Sequence, residues 1–506
     1  MNRDNLGDVP SQNFREQLHE LADWIADYRE HIDGMPVAPT APAGSIQKAL
    51  PATPPEEGES FERIFSDFKN VILPGVVHWS HPEFMGYFGS TSTAPGIEGE
   101  ILSAALNVNA MTWRTCPAAT ELETIVIDWL RQWLRLPDEF GGVVYDTASI
   151  GIMHALAVAR EEASTEIRKR GMTGRSDVPQ FRIYTSDQTH SSVEKAAIAL
   201  GLGEDNVRRV RSDSEFRLDV SALEKMVAAD LAQKMRPLAI VASVGTTSTA
   251  SVDPIREIAR VCRRHKMWLH IDGAYGAGLA LLPEHEWVTA GWSEADSIVV
   301  NPHKMLFVPF DFSVLYLRDL ERLRRVFTLV PEYLRADTVE AEKNYMDYGV
   351  QLGRRFRALK AWMVFRTFGR IGIAARIREH LRLAQLLATW IKSDSHFELA
   401  APVVMGVVCF RFIANDELSR RSGAKADTLA GIDSTVDINS AIAESINASG
   451  KAYLTQTKLN GRTTMRIGLG NVLTTEEHLG RVWNLIRETA EKISRTKPTT
   501  NDNALL

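Results

Sequence analysis

The chain has 506 residues, 44% of them apolar and 24% charged, with a formal net charge of -6. That length asks for two or three domains with separate cores, and the balance is that of an ordinary soluble globular protein. Without a Lys/Arg block and with a mild negative charge, nucleic acid and anionic membrane are poor partners.

The opening "MNRDNLGDVPSQNFREQLHE" lacks the apolar core of a signal peptide, and no later run offers a membrane span. Phe14, Leu18, Leu21, Ile25 and Tyr28 recur at helical spacing. The Pro- and Ala-rich stretch "MPVAPTAPAGSIQKALPATPPEEGES" follows and reads as an extended connector. A helix this isolated needs something to pack on, and residues 1–96 are expected to wrap a second copy in a homodimer. From 97 to 375, apolar β-branched runs ("GGVVYD", "FRIYTSD", "LAIVASVG", "KMWLHID", "DSIVVNPHK") alternate with helix-period stretches. This predicts an α/β domain with a mainly parallel sheet. Residues 376–490 read as a smaller α+β domain, with a strand at "MGVVCFRF" and a hairpin turn at Asn460-Gly461. Residues 491–506 read as a tail. Cys116, Cys262 and Cys409 are odd in number and widely spaced. A disulfide framework and a structural zinc are disfavoured, no metal site is expected, and a reducing cytoplasm fits.

In open α/β sheets ligands bind at the carboxyl ends of the strands, so the residues leaving each strand are the candidates. "GGVVYDTASIG" delivers Thr147, Ala148 and Ser149 to a predicted helix start, which suits a phosphate, although Asp146 or Thr147 as a plain N-cap accounts for the same letters. "SDQTHSSVEKA" delivers His190 ahead of Ser191 and Glu194 at capping-box spacing. Thr246 leaves the next strand, and Asp272 the one after it, followed by the small residues Gly273 and Ala274 that leave room for a flat ring. "NPHK" then delivers Asn301, His303 and Lys304. Alone, Lys304 reads as a lysine snorkelling to water. In this company it is an amine for covalent catalysis, since burial lowers a lysine's pKa and frees its lone pair. A phosphate cradle, a ring-stacking group, a carboxylate for a pyridine nitrogen and an amine are together what pyridoxal 5'-phosphate requires.

The motifs "NPHK" with the following "FDFS", "HIDGAYGAG", "SDQTHSSVEKA", "GTTSTASVDP", "PAATELETIVIDWL" and "LGRRFRALKAW" resemble the group II pyridoxal-phosphate-dependent amino acid decarboxylases, closest to the aromatic L-amino acid decarboxylases. The resemblance implies the aspartate aminotransferase-like (type I) fold. It assigns Lys304 the covalent link to the cofactor, Asp272 the pyridine nitrogen, and His190 the ring face with Ala274 beneath. Thr147, Ala148, Ser149, Asn301, His303 and Gly353 would serve the phosphate, with Thr246 near the ring hydroxyl. Tyr333, in "LVPEYLRADTVEAEKNYMDYG", falls where the family carries a lid tyrosine that protonates the substrate carbon.

The implied reaction releases the α-carboxylate of an amino acid as carbon dioxide and yields the amine. Trp79, Tyr87 and Phe88 fall where the family places aromatic pocket walls, which suits a tryptophan, tyrosine or dopa-like side chain. Gly89 stands where many relatives have proline, giving room for an indole. Asn109, Met111 and Arg114 fall in a region expected to reach a partner's pocket, and Asn109 or Arg114 there would favour a phenolic or an acidic side chain. Asp146 replaces a frequent glycine. An aldehyde-forming synthase and a decarboxylase of acidic amino acids are the alternatives.

Overall fold

The computed structural model describes residues 7–39, 41–163, 166–329, 342–413 and 437–495. Its centre is a seven-stranded sheet: β1 (Gly141–Tyr145), β2 (Phe181–Ser186), β3 (Val207–Val210), β4 (Arg236–Ser243), β5 (Trp268–Asp272), β6 (Ser297–Val300) and β7 (Ser313–Leu317), in the order β1-β7-β6-β5-β4-β2-β3. Six strands run the same way, and β7 lies antiparallel between β1 and β6. Helices cover both faces, so β2, β6 and β7 are buried along their whole length. That is why these strands read as apolar runs rather than alternations.

Two strands escaped the sequence reading. β3, "VRRV", is a half-exposed edge strand with two arginines. β7, "SVLYL", follows the "FDFS" motif closely and carries no turn signal to separate it from the run before.

A second, antiparallel sheet has the order β10-β11-β9-β8: β8 (Phe397–Leu399), β9 (Val407–Phe412), β10 (Thr455–Leu459) and β11 (Arg462–Gly468). Asn460 and Gly461 join β10 to β11 with φ of 50° and 74°. Two consecutive left-handed residues make the turn whose twist matches a two-residue hairpin. The helix Ala358–Ser393 spans residue 375, where the sequence reading placed a division, and kinks at Gly369. Its first half packs Ala361, Val364, Phe365 and Ile373 into the core of the large sheet. Its second half packs Leu383, Leu387 and Ile391 against the small one.

The N-terminal helix Ser11–His31 buries none of its residues fully, and Phe14 and Leu18 are exposed. It touches the rest of the chain at its C-terminal end. There Trp24 meets Phe65 and Phe68 edge-on, and the Tyr28 hydroxyl bonds His78 at 2.8 Å.

Candidate active site

The exits of β1, β2, β4, β5 and β6 all lie on one edge of the large sheet, because β1 and β6 are each antiparallel to β7. They border a cleft of about 680 Å³ that the second sheet closes from the other side.

At β6 the motif "NPHK" forms a β-turn: Lys304 N–H donates to the Asn301 carbonyl at 2.9 Å, with Pro302 at the position where its fixed φ suits the turn. Asn301 is buried and accepts the Ser313 hydroxyl of β7 at 2.7 Å. His303 Nδ1 accepts the Phe312 N–H at 3.0 Å. Its proton therefore sits on Nε2, ready to donate into the cleft. Burial, reinforced by the neighbouring Lys304 charge, pushes the imidazole down to about 3, so it stays neutral.

Lys304 follows. Burial pushes its amine down to about 8, the Asp272 carboxylate pulling it back up and Arg466 adding to the depression. Nζ stands 4.9 Å from the centre of the Phe88 ring. Asp272 ends β5, and its Oδ1 accepts the Ala274 N–H at 3.0 Å, which fixes the carboxylate above the small residues that follow.

His190 shows how the local chemistry differs from the expected capping box. Ser191 makes no side-chain cap. Instead His190 Nδ1 accepts the Ser192 N–H at 3.1 Å and pairs with its hydroxyl at 3.0 Å. The ring caps the helix itself, and Glu194 is turned away to Arg209 at 2.6 Å. Burial lowers the His190 pKa against the pull of Asp272.

At β1, Thr147, Ala148 and Ser149 enter the helix Ala148–Ala163 at the cleft edge. Asp146 accepts the Thr147 N–H at 2.7 Å. The strand before this turn is held from below by a buried ion pair: Arg354 Nη2 reaches Glu123 at 2.7 Å and the Val144 carbonyl at 2.8 Å, while Val144 N–H donates to Glu123 at 3.1 Å.

Trp79, Tyr87 and Phe88 border the same cleft, with Phe88 stacked 3.9 Å from Tyr275. Other expected residues lie elsewhere. Thr246 is buried inside its own loop, its hydroxyl accepting the Ser251 N–H at 3.0 Å and paired with Thr249. Gly245 before it has φ of 94°, which glycine allows. Gly89 faces the Gly470 backbone, where a Cβ would stand 2.8 Å from its Cα. That close approach, rather than room for a substrate ring, accounts for the glycine.

Gly353 is exposed with open space around it, and it does not border this chain's cleft. Neither do Asn109 and Met111. Asn109 Oδ1 accepts the Arg354 N–H at 3.0 Å, the Met111 carbonyl accepts the Met346 N–H, and Arg114 pairs with Glu342 at 3.6 Å. Tyr333 lies outside the described residues.

Two residues on the wall were not singled out from the sequence. Arg466 of β11 is 4% exposed; its Nε donates to the Ser248 carbonyl at 3.0 Å and its Cζ lies 4.6 Å from the Phe88 ring. The available signal was a lone arginine inside the apolar stretch "MRIGLG". Tyr453 precedes β10 and had no such signal.

The donor set fits pyridoxal phosphate. A helix start and a fixed His303 N–H suit the phosphate, a carboxylate on a strand end suits the ring nitrogen, and a depressed lysine suits the aldehyde. An α/β protein with this arrangement is a pyridoxal-phosphate enzyme of fold type I. Residues 43–413 match the model of the pyridoxal-dependent decarboxylase conserved domain, and the chain belongs to that family. It is an amino acid decarboxylase that uses pyridoxal phosphate.

Among curated relatives, Tryptophan decarboxylase 2 of Oryza sativa is 35% identical over 96% of both chains. A phenylacetaldehyde synthase of Arabidopsis thaliana is 33% identical over 96% of this chain and 97% of its own length. The solved structure of Oryza sativa TDC with PLP and tryptamine superposes with a TM-score of 0.88 at 32% identity, covering 97% of this chain and all of that one.

Proposed function

We propose that the protein decarboxylates an aromatic L-amino acid to its amine, acting as a homodimer in the cytoplasm. The observation that carries this reading is the pairing, in one cleft, of a lysine amine pushed down to about 8 with a wall of Trp79, Tyr87 and Phe88. Pyridoxal phosphate, when bound, supplies an aldehyde for linkage to amines and a ring that takes up the electron pair left by departing carbon dioxide.

Lys304 would hold the cofactor and yield its place to the substrate amine. Asp272 would keep the proton on the pyridine nitrogen, without which the ring is a weaker electron acceptor. His190 would stack on the ring, held in place by Ser192. Thr147, Ala148, Ser149 and His303 would bind the phosphate. Tyr333 would return a proton to the substrate carbon and close the site against water.

Support for the dimer comes from the N-terminal helix, whose Phe14 and Leu18 are exposed among the described residues, and from Gly353, Asn109 and Met111, which do not border this chain's cleft. Three unpaired cysteines suit a reducing compartment. A carbon dioxide release assay over the twenty amino acids, dopa and 5-hydroxytryptophan tests the substrate. A preference for glutamate or aspartate removes the aromatic assignment and leaves the cofactor chemistry standing.

Formation of an aldehyde is the second reading, favoured by the synthase among the relatives. Tyr333→Phe keeps the ring and removes the hydroxyl. It is expected to slow amine formation roughly 10²-fold or more, with aldehyde, ammonia and peroxide appearing under oxygen. Unaltered amine yield assigns the proton to another group.

A further inference from the structure

The stretch "GSTSTAP", Gly89 to Pro95, carries four hydroxyls in a row, and the cofactor assignments above use none of them. Each bonds a different part of the chain. Ser90 donates to the His303 carbonyl at 2.8 Å and Thr93 to the Phe307 carbonyl at 3.1 Å, so the two end residues grip the Lys304 turn on either side of the lysine. The two between anchor the stretch itself: Thr91 donates to the Gly470 carbonyl at 3.1 Å and Ser92 pairs with Ser80 at 3.1 Å, while the Ser92 carbonyl accepts Arg29 Nη1 at 3.0 Å.

The reason for both grips lies in the turn. Among the described residues no backbone N–H reaches the His303 or the Phe307 carbonyl, and a carbonyl left unpaired out of water is costly. Phe307 is fully buried and held in the left-handed region, φ 61°, which is rare and costly for a bulky residue. Its ring meets His380 edge-on at 5.6 Å, and the bonded carbonyl fixes its other side. Thr93 precedes the helix Ala94–Leu106 at the position where a threonine normally caps, yet its side chain makes no cap bond. The hydroxyl is turned to Phe307 instead. A Cβ on Gly96 would overlap Pro309, so the first turn of the same helix sits directly on the residues that follow the lysine turn.

We propose that Thr93, together with Ser90, is a positioning residue for Lys304: the two hydroxyls hold the turn in its strained form and so keep the amine against the Phe88 ring instead of letting it swing out to water. The inference rests on Lys304 as the anchor of the cofactor and goes beyond it, to what holds the anchor in place. A strained backbone persists only where its surroundings over-determine it. Phe307 stands three residues after Lys304, so a relaxed φ at Phe307 displaces the backbone that carries the lysine. Nζ lies 4.9 Å from the centre of the Phe88 ring, and an amine that leaves this setting for water regains its ordinary basicity, because water favours the charged form. Thr93 is itself 2% exposed and does not border the cleft, so it acts through the turn alone.

The test needs no cofactor. Acetic anhydride labels neutral amines, and its yield on the Lys304 peptide of the full-length apoprotein, followed over a range of pH, gives the pH at which the amine loses its proton. Thr93→Val keeps the shape of the side chain and removes the hydroxyl. In this variant the labelling midpoint is expected to rise from about 8 by about one pH unit, toward the 10.5 of an ordinary lysine, and Thr93→Ser is expected to restore it. A merely structural Thr93 would lower the urea midpoint of the Val variant and leave the labelling midpoint in place; that result overturns the proposal, as does an equal rise in Thr93→Ser. Should Thr93→Val fail to fold, Ser90→Ala reads the other end of the turn: the same rise supports the proposal and an unmoved midpoint overturns it. Borohydride trapping of pyridoxal phosphate on the wild-type chain reports separately on Lys304 as the anchor.

Discussion

The two ends of the cleft are built by different means. The cofactor end is made by one sheet, through short turns whose hydrogen bonds stay within a few residues of each strand: Lys304 to Asn301, Asp272 to Ala274, His190 to Ser192. The aromatic end exists only where two parts of the chain dock. Ser248 bonds Thr457 at 2.9 Å, Arg466 clasps Ser248 and Tyr87, and Gly89 meets Gly470 backbone to backbone. Local turns give a rigid chemical centre; docking gives a surface whose shape depends on how two sheets meet. On the reading proposed above, chemistry common to many amino acids would sit at the first, and selection among them at the second.

The largest effect that separates the ends is expected from Lys304→Ala. It should abolish borohydride trapping of pyridoxal phosphate on the chain while leaving the aromatic wall intact. Covalent trapping that persists in the variant means another lysine is the anchor. In the wild-type apoprotein, capture of the cofactor should speed up as pH rises through about 8, where the amine loses its proton. A rate that is flat from pH 7 to 9 contradicts the depressed lysine.

Next comes Glu123→Ala, which leaves the buried Arg354 charge without its partner under β1. A loss of about 3–5 kcal/mol is expected in urea unfolding, with cofactor affinity falling because the turn proposed to bind the phosphate follows that strand. Loss of stability with unchanged affinity would detach the ion pair from the site.

Gly89→Ala is milder, costing about 1–3 kcal/mol by pushing Gly470 away. Here the comparison predicts raised KM for amino acids and unchanged cofactor binding. A weakened cofactor site with normal KM would mean the two ends are not separable.

The last effect is on pH, and it is spread over several pH units. Burial holds His154, His270 and His303 at about 4, 3 and 3, against an ordinary value near 6.5. The folded protein binds fewer protons than the unfolded chain in that interval, so stability is complete above about 6.5 and declines as pH falls toward 4. The slope reaches about 1.4 kcal/mol per pH unit for each histidine. Equal urea midpoints at pH 7 and pH 5 would contradict it. All three lie on or beside the large sheet, so acid should loosen the cofactor end.

The same division explains what the sequence could tell. Asp272, His190 and Lys304 were legible because a strand exit can be read from adjacent letters. β7 and β3 were not: one lacks a boundary signal, and the other is a charged edge. Arg466 and Tyr453 reach the cleft only through the docking of the second sheet, a contact spanning more than 350 residues for Arg466 and Tyr87. Thr246 was placed in the right loop by its neighbours, yet Thr249 and Ser251 decide where its hydroxyl points. Gly89 was read as space for a substrate when its neighbour is backbone.

The helix Ala358–Ser393 has one more consequence, for the order in which the protein is made. Its second half presents Leu383, Leu387 and Ile391 to a sheet whose strands β10 and β11 and covering helix Glu476–Arg495 are encoded some 70 to 100 residues later. On the ribosome, the first core can close while this apolar stripe still has no cover, for the several seconds that translation of the remainder takes. The late-arriving hairpin at Asn460-Gly461 completes both the second core and the aromatic end of the cleft. A chain truncated before that hairpin would keep its lysine and aspartate and expose a sticky helix in place of a closed cleft.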